Sequence, residues 1–539
     1  MSKRVYEDGG IDSKASKRSL DLDSKISSQY TGHCPVEKFT DIDVLELPTK
    51  QEEFADFFQE FVAKRKPCKI TGVSPACFQF DTLKPAMIES TLPADEVLQV
   101  EKKNEGGFGS GQRRLKMSFG EFMNKMIKGE TQYYLTTQYA EDDPDLQEKK
   151  DEEEESCDGD EDAEENDSEQ DESGEEIFPP AFDSASDAES INFNDTHDDF
   201  DDISDGDGGD EGLDNEEVLD CNLRTGPLTT EEANQRVREL YQPPLSNLVD
   251  KLPETPEILK SLIPQQINLW IGSAPNTTAA DGFLNGFDPH DPKLGLGRNI
   301  PGGGSSSGLH HDHADNIYIP VNGHKRFTLF SPRDSVKMYT VGDIRTVFAS
   351  GVIDYTRNEK APMWRQLRDD GAIVAEVAKH ELQVNDKLDA NERAELKKII
   401  SEDEQEVTTA VLDSKIDPPS FSQIPPTVVH LDKIKDKALQ DSITAAAKKR
   451  WPLFFEANRI VVDLKPGEML YLPTGWFHEV TSFGKEEAES TEDNIHIAVN
   501  YWFIPPTGSA MEKPYTNKDC YWPMDYERTR ASLDRARGM

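Results

Sequence analysis

Between Glu141 and Asp220 the chain carries 38 acidic residues against two lysines, Lys149 and Lys150, with little apolar material among them. Asp, Glu, Ser, Gly and Asn in this proportion cannot bury enough surface to offset the entropy of ordering a chain. The spacing therefore predicts a disordered acidic insertion over residues 141–222. The cost of closing a loop grows only logarithmically with its length, so an insertion of about 80 residues costs roughly 2–4 kcal/mol more than a tight turn. One folded domain can be interrupted here, and the flanking segments need not be separate domains.

The same segment holds about −36 of the formal net charge of −46, which leaves about −10 for the rest of the 539 residues. A binder of nucleic-acid backbone needs a basic face, and none is evident, so no direct nucleic-acid contact is expected. The six cysteines form no CxxC pair and no regular spacing, which argues against a zinc module and against a secreted disulfide scaffold. No apolar run approaches the roughly eighteen residues of a membrane span, so no membrane segment is expected. A reducing compartment follows, nuclear or cytoplasmic. Lys3-Arg4 with Lys14, Lys17 and Arg18 lean it towards the nucleus, beside the plainer reading of residues 1–34 as a disordered tail of ordinary charge.

Thr49 and Glu52 predict a capping box ahead of Phe54, Phe57, Phe58, Phe61 and Val62, the start of an amphipathic helix. Lys66 to Gly72 and Gln132 to Gln138 read as short strands, and Ile267 to Pro332 as a strand-rich region. Arg365 to Glu406 reads as helical, with Asp389 and Asn391 as cap candidates ahead of Glu392. Strands are expected again at Ile460 to Leu464, Met469 to Leu472 and Ile495 to Ile504. Two apolar runs on either side of Asn322-Gly323 give a strong hairpin signal.

Just before that hairpin stands Gly308-Leu309-His310-His311-Asp312-His313. Alternate side chains of a strand share a face, so His310 and Asp312 are expected to point the same way. An imidazole and a carboxylate presented together are two-thirds of the facial triad that leaves three positions of an octahedral iron open. HxD alone is a weak signal, and a solvated histidine-rich loop is the bland reading. A third ligand can come from His478, at the end of Lys465-Pro-Gly-Glu-Met-Leu-Tyr-Leu-Pro-Thr-Gly-Trp-Phe-His478. The bland reading of His478 is a satisfied core histidine.

The runs GLHHDHADNIYIPVNGHKRFTLFSP, KPGEMLYLPTGWFHEVTS and IAVNYWF resemble, in order and in residue detail, the three signature strands of JmjC-type cupin oxygenases. KPCKITG and YYLTTQ are similar to the family's N-terminal part, so the likeness covers roughly residues 35–140 and 225–520. It implies a mainly β fold with helices. A double-stranded β-helix (jelly-roll) core would lie over 223–539, completed by 35–140, with a helical insert at about 340–449. The insert explains why His478 follows His310 by 168 residues.

The resemblance also implies Fe(II) held by His310, Asp312 and His478, with 2-oxoglutarate as co-substrate. Lys325 matches the basic residue that pairs with the co-substrate's distal carboxylate, and Ser307 a hydroxyl position serving the same carboxylate. Asn316 and Asn500 match pocket-lining amides, and Tyr134, with Tyr133 beside it, a further carboxylate partner. The reaction implied first is hydroxylation of a protein side chain with release of succinate and CO2, because small JmjC proteins without reader modules resemble that branch. Lysine or arginine demethylation of histones or other proteins, and a non-enzymatic cupin-fold binding role, stay open. The acidic insertion points to a basic protein substrate of histone or ribosomal type; substrate identity and oligomeric state are left open.

Overall fold

Along Arg459–Leu464 burial alternates strictly: Ile460, Val462 and Leu464 are buried while Val461 and Asp463 are exposed. This is a strand covered on one face. Ile495–Phe503 is buried at every position, because its two faces meet two different cores. Ile495, Ile497, Val499, Tyr501 and Phe503 pack among the N-terminal helices, whereas Ala498 joins a separate cluster between the sheets. Glu468–Leu472 divides likewise, with Met469 and Tyr471 outward and Leu470 and Leu472 inward. Each such aliphatic side chain contributes roughly 1.5–3 kcal/mol on burial.

The computed structural model describes residues 27–73, 80–103, 107–108, 114–138, 227–274, 278–408, 417–485 and 488–539. The expected acidic insertion over 141–222 and the first 26 residues lie outside these. The strands that frame the site are β1 (Phe39–Thr40), β2 (Asp43–Glu46), β3 (Cys68–Thr71), β4 (Val97–Lys102), β5 (Arg114–Ser118), β6 (Tyr133–Leu135), β7 (Pro264–Ser273), β8 (Ser305–His310), β9 (Asp315–Asn322), β10 (His324–Phe330), β11 (Arg459–Leu464), β12 (Glu468–Leu472), β13 (Phe477–Phe483) and β14 (Ile495–Phe503). They form a nine-stranded sheet in the order β2-β3-β12-β9-β14-β7-β6-β4-β5 and a five-stranded sheet in the order β1-β11-β10-β13-β8. The inner faces of the two sheets share a core of Tyr318, Phe327, Leu329, Val462, Leu470 and Trp476. The architecture is a jelly-roll core flanked by helices. Segment 35–140 contributes β1 to β6, so it completes the same sheets that the C-terminal half builds.

The expected hairpin is not one. β9 pairs with β12 and β14, and β10 pairs with β11 and β13, so Asn322-Gly323 is a corner where the chain leaves one sheet for the other. β9 is buried at every position and β10 at every position but His324 and Arg326, which suits separate sheets better than a ribbon with one wet side. Gly323 adopts φ +70, and a Cβ there would stand 2.4 Å from the Phe483 carbonyl oxygen, so the corner admits only glycine without a shift.

Three further expectations are corrected. The first helix, Gln51–Phe57, is capped one residue later than Thr49 and Glu52 suggest: Glu53 takes the amides of Thr49 at 2.9 Å and Lys50 at 3.1 Å. The tail ends before residue 34, since Ser27–Ser28 pairs with Thr346 and Val347 and Tyr30 is buried against the insert. The insert is not purely helical, because it opens with the strands Ile344–Val347 and Ile353–Tyr355 before its helices at Val374–Val384, Ala390–Thr408 and Lys437–Arg450. Asp389 does cap Ala390–Thr408, accepting the amides of Asn391 and Glu392 while Glu392 accepts that of Asp389. The insert packs over Leu309, Phe330 and Phe477, on the outer side of the five-stranded sheet.

Candidate metal centre

His310 closes β8 and His478 sits near the start of β13, and the two are direct cross-strand partners. Antiparallel partners share a face, so both rings enter the space between the sheets, with centroids 4.4 Å apart. Asp312 reaches them differently from the expected strand alternation. It lies in the connection after β8, where its carbonyl oxygen accepts the Gly475 amide at 2.9 Å and the Thr474 hydroxyl at 3.2 Å. Its carboxylate stands 3.7 Å from His310 Nε2 and 3.6 Å from His478 Nε2. The three potential ligand atoms lie within 4.8 Å of one another, the one such group of three among the described residues.

Each histidine is oriented by its own backbone. His310 Nδ1–H donates to the Gly308 carbonyl at 3.0 Å, and His478 Nδ1–H donates to the Trp476 carbonyl at 2.9 Å. Because a carbonyl only accepts, these bonds select the tautomer with the proton on Nδ1, which turns both Nε2 atoms toward the Asp312 carboxylate as the ligating nitrogens. Burial keeps His310 well below the ordinary histidine range, and the neighbouring His478 adds to this. Burial raises the Asp312 carboxyl, against the pull of His478. A largely buried carboxylate between two imidazoles is a donor set that fits a divalent cation.

The two amides expected from the sequence stand behind Asp312. Asn316 Nδ2 donates to Asp312 Oδ2 at 3.4 Å, Asn500 Nδ2 to Asn316 Oδ1 at 3.3 Å, and Trp270 Nε1 to Asn500 Oδ1 at 2.9 Å. Trp270 was not foreseen, since one tryptophan inside a strand pattern gives no sign that its N–H is used.

Lys325 lies fully buried near the start of β10. Its Nζ contacts the hydroxyls of Ser482 at 2.7 Å and Tyr134 at 3.2 Å and His496 Nδ1 at 3.2 Å. Burial holds the amine well below the usual lysine range, and Lys103 adds to this. Tyr134 is thus the tyrosine of the pair that meets Lys325, while Tyr133 lies under Lys125. Ser307 is engaged by backbone, donating to the Gly308 carbonyl and accepting the Val480 amide at 3.1 Å. Ser305 was missed: it pairs with Ser482 across the strands, and its buried hydroxyl has no partner. A buried amine with no carboxylate partner among the described residues, two strands from an unpartnered hydroxyl, is an environment that an anionic ligand end would satisfy.

A jelly roll with two histidines and an aspartate converging between its sheets defines a JmjC-type cupin, and the chain belongs to the cupin-like domain family, matched over residues 147–509. It is 25% identical over 528 residues to JmjC domain-containing protein 4 of Schizosaccharomyces pombe, covering 86% of each chain. It is 23% identical over 242 residues to Lysine-specific demethylase JMJ32 of Arabidopsis thaliana, 44% of this chain and 42% of that one. A shorter likeness, 27% over 115 residues, joins it to tRNA wybutosine-synthesizing protein 5 of Danio rerio, covering 21% of this chain and 32% of that protein.

Proposed function

We propose that the protein is an Fe(II)- and 2-oxoglutarate-dependent oxygenase that hydroxylates a protein side chain. The observation that carries this reading is the presence of two features in one barrel: the largely buried His310, Asp312 and His478 set, and the buried Lys325, whose partners among the described residues are all neutral. Two imidazoles and one carboxylate fit ferrous iron, leaving positions for a chelating co-substrate and dioxygen. When bound, iron and 2-oxoglutarate supply the oxidising power, with succinate and CO2 as by-products. The chain's own residues do the rest. The Gly308 and Trp476 carbonyls fix the ligating tautomers, Asn316 and Asn500 hold the Asp312 carboxylate, and Lys325 with Tyr134 receives the distal carboxylate in a dry setting where a charge-assisted bond is strong.

Lysine demethylation is a second reading, supported by the likeness to a protein named as a lysine-specific demethylase. The same site would then act on an N-methyl group and release formaldehyde. A basic protein substrate, of histone or ribosomal type and met in the nucleus, suits the charge of the acidic segment. The test is to incubate the anaerobically iron-loaded chain with 2-oxoglutarate, air and unmodified or methylated basic proteins. Oxygen addition of 16 mass units to unmodified protein, matched by succinate, is expected. Formaldehyde released strictly from methylated protein would move the assignment to the demethylase, and no 2-oxoglutarate turnover with any protein would defeat both.

A further inference from the structure

The Lys325 end of the barrel holds a second amine. Lys103 follows β4, is half-buried, and places its Nζ 5.5 Å from the centre of the Tyr134 ring, against 5.8 Å for the Lys325 amine. Phe108 stacks on that ring at 3.7 Å, which holds the phenol in place. The two amines are satisfied to different degrees. Lys325 has three neutral partners, the Ser482 and Tyr134 hydroxyls and His496 Nδ1. Lys103 has one, the Ser273 carbonyl at 3.0 Å. An ammonium has three protons to give, so Lys103 keeps donors for a further acceptor.

Two amines on one phenol ring oppose each other. Burial pushes Lys103 down to about 7 against the pull of Glu101, and Lys103 in turn disfavours charge on Lys325. Among the described residues no carboxylate lies within ion-pair distance of either amine. A carboxylate arriving between them would relieve this, since it has two oxygens and each can take one ammonium.

We propose that Lys103 is a second binding residue for the distal carboxylate of the co-substrate, so that the site selects a 2-oxo dicarboxylate over a 2-oxo monocarboxylate through two amines. This rests on the co-substrate reading above. The structural alternative, in which Lys103 only holds the Ser273 carbonyl beside the Tyr134 ring, predicts no such selectivity.

The test is calorimetric titration of the full chain, loaded with Mn(II) under nitrogen, with 2-oxoglutarate and separately with 2-oxopentanoate. Lys103→Met should weaken 2-oxoglutarate roughly tenfold and leave 2-oxopentanoate within about twofold, while Lys103→Arg should keep most of the dicarboxylate affinity. Lys103→Gln carries the same comparison if the Met variant does not fold. Equal weakening of both ligands, or unchanged 2-oxoglutarate affinity in a folded neutral variant, overturns the role of Lys103 and leaves the co-substrate reading standing. Wild-type chain that binds no 2-oxoglutarate overturns both.

Discussion

Arg65 and Asp315, 250 positions apart, form a buried two-pronged ion pair, with Nη1 2.9 Å from Oδ2 and the second guanidinium nitrogen on Oδ1. Tyr471 donates to the same carboxylate at 2.7 Å and the Thr474 amide at 3.0 Å, so Asp315 is saturated. Asp315 opens β9 three residues after Asp312, and Trp476, whose indole donates to the Arg65 carbonyl at 3.0 Å, stands two residues before His478. One network therefore ties together both segments that carry the candidate metal ligands.

Arg65→Met would leave the Asp315 carboxylate buried without its counter-charge, a loss of roughly 3–5 kcal/mol for pairs of this kind. Denaturant unfolding of wild type and variant measures it. A change below about 1 kcal/mol would mean the remaining donors suffice and the pair is not what fixes these segments.

Asp312→Ala or His310→Ala should abolish binding of one Fe(II) or Mn(II), because two remaining ligands cannot hold a labile divalent ion tightly. Asn316→Ala, which removes the amide behind the carboxylate, should weaken the metal by about tenfold or more without abolishing it. Anaerobic titration with metal detection checks both, and wild-type metal affinity in the Asp312 variant would remove Asp312 from the ligand set.

The proposed anion end also implies linkage to protons. Lys325 and Lys103 are both depressed by burial, Lys103 to about 7, and a carboxylate between them favours their charged forms. Of the other groups facing them, His496 is kept well below its ordinary value by burial and Lys325, and Tyr134 is raised by burial. The bound state then holds more protons than the free state. Affinity for 2-oxoglutarate is accordingly greatest below about pH 7 and falls as pH rises towards 9. Calorimetry in buffers of different ionisation enthalpy should register proton uptake at pH 8; a buffer-independent enthalpy with flat affinity would contradict it.

The candidate ligand set was legible in the sequence, and the structure brings His310, Asp312 and His478 together, because such chemistry needs these residue types whatever backbone carries them. Their geometry was less so. Strand periodicity placed Asp312 beside His310, yet the carboxylate arrives from a connection held by Thr474 and Gly475, a contact 162 positions away in the chain. Asn322-Gly323 signalled a reversal correctly, but local pattern cannot say whether two apolar-rich strands pair with each other or with others, and here each joins its own sheet. Arg65, Ser305 and Lys103 escaped for one reason: each matters through a partner remote in sequence, and none sits in a pattern that marks it.

The acidic segment, outside the described residues, can still be tested through its charge. Residues 141–220 carry 38 acidic side chains and two basic ones between β6 and β7, so a basic protein near the barrel meets a concentrated negative field. Such attraction acts over about one Debye length, roughly 8 Å at physiological salt, and weakens steeply as salt rises. Deleting residues 145–216 should leave metal binding and 2-oxoglutarate affinity unchanged, because the strands on either side are built by other parts of the chain. Association with histones or ribosomal proteins should fall at low salt and lose most of its salt dependence. Sedimentation or interferometry across a salt series compares the two chains. If the deletion variant associates as tightly, with the same salt slope, the segment is a spacer and recognition of basic partners must come from the folded surface.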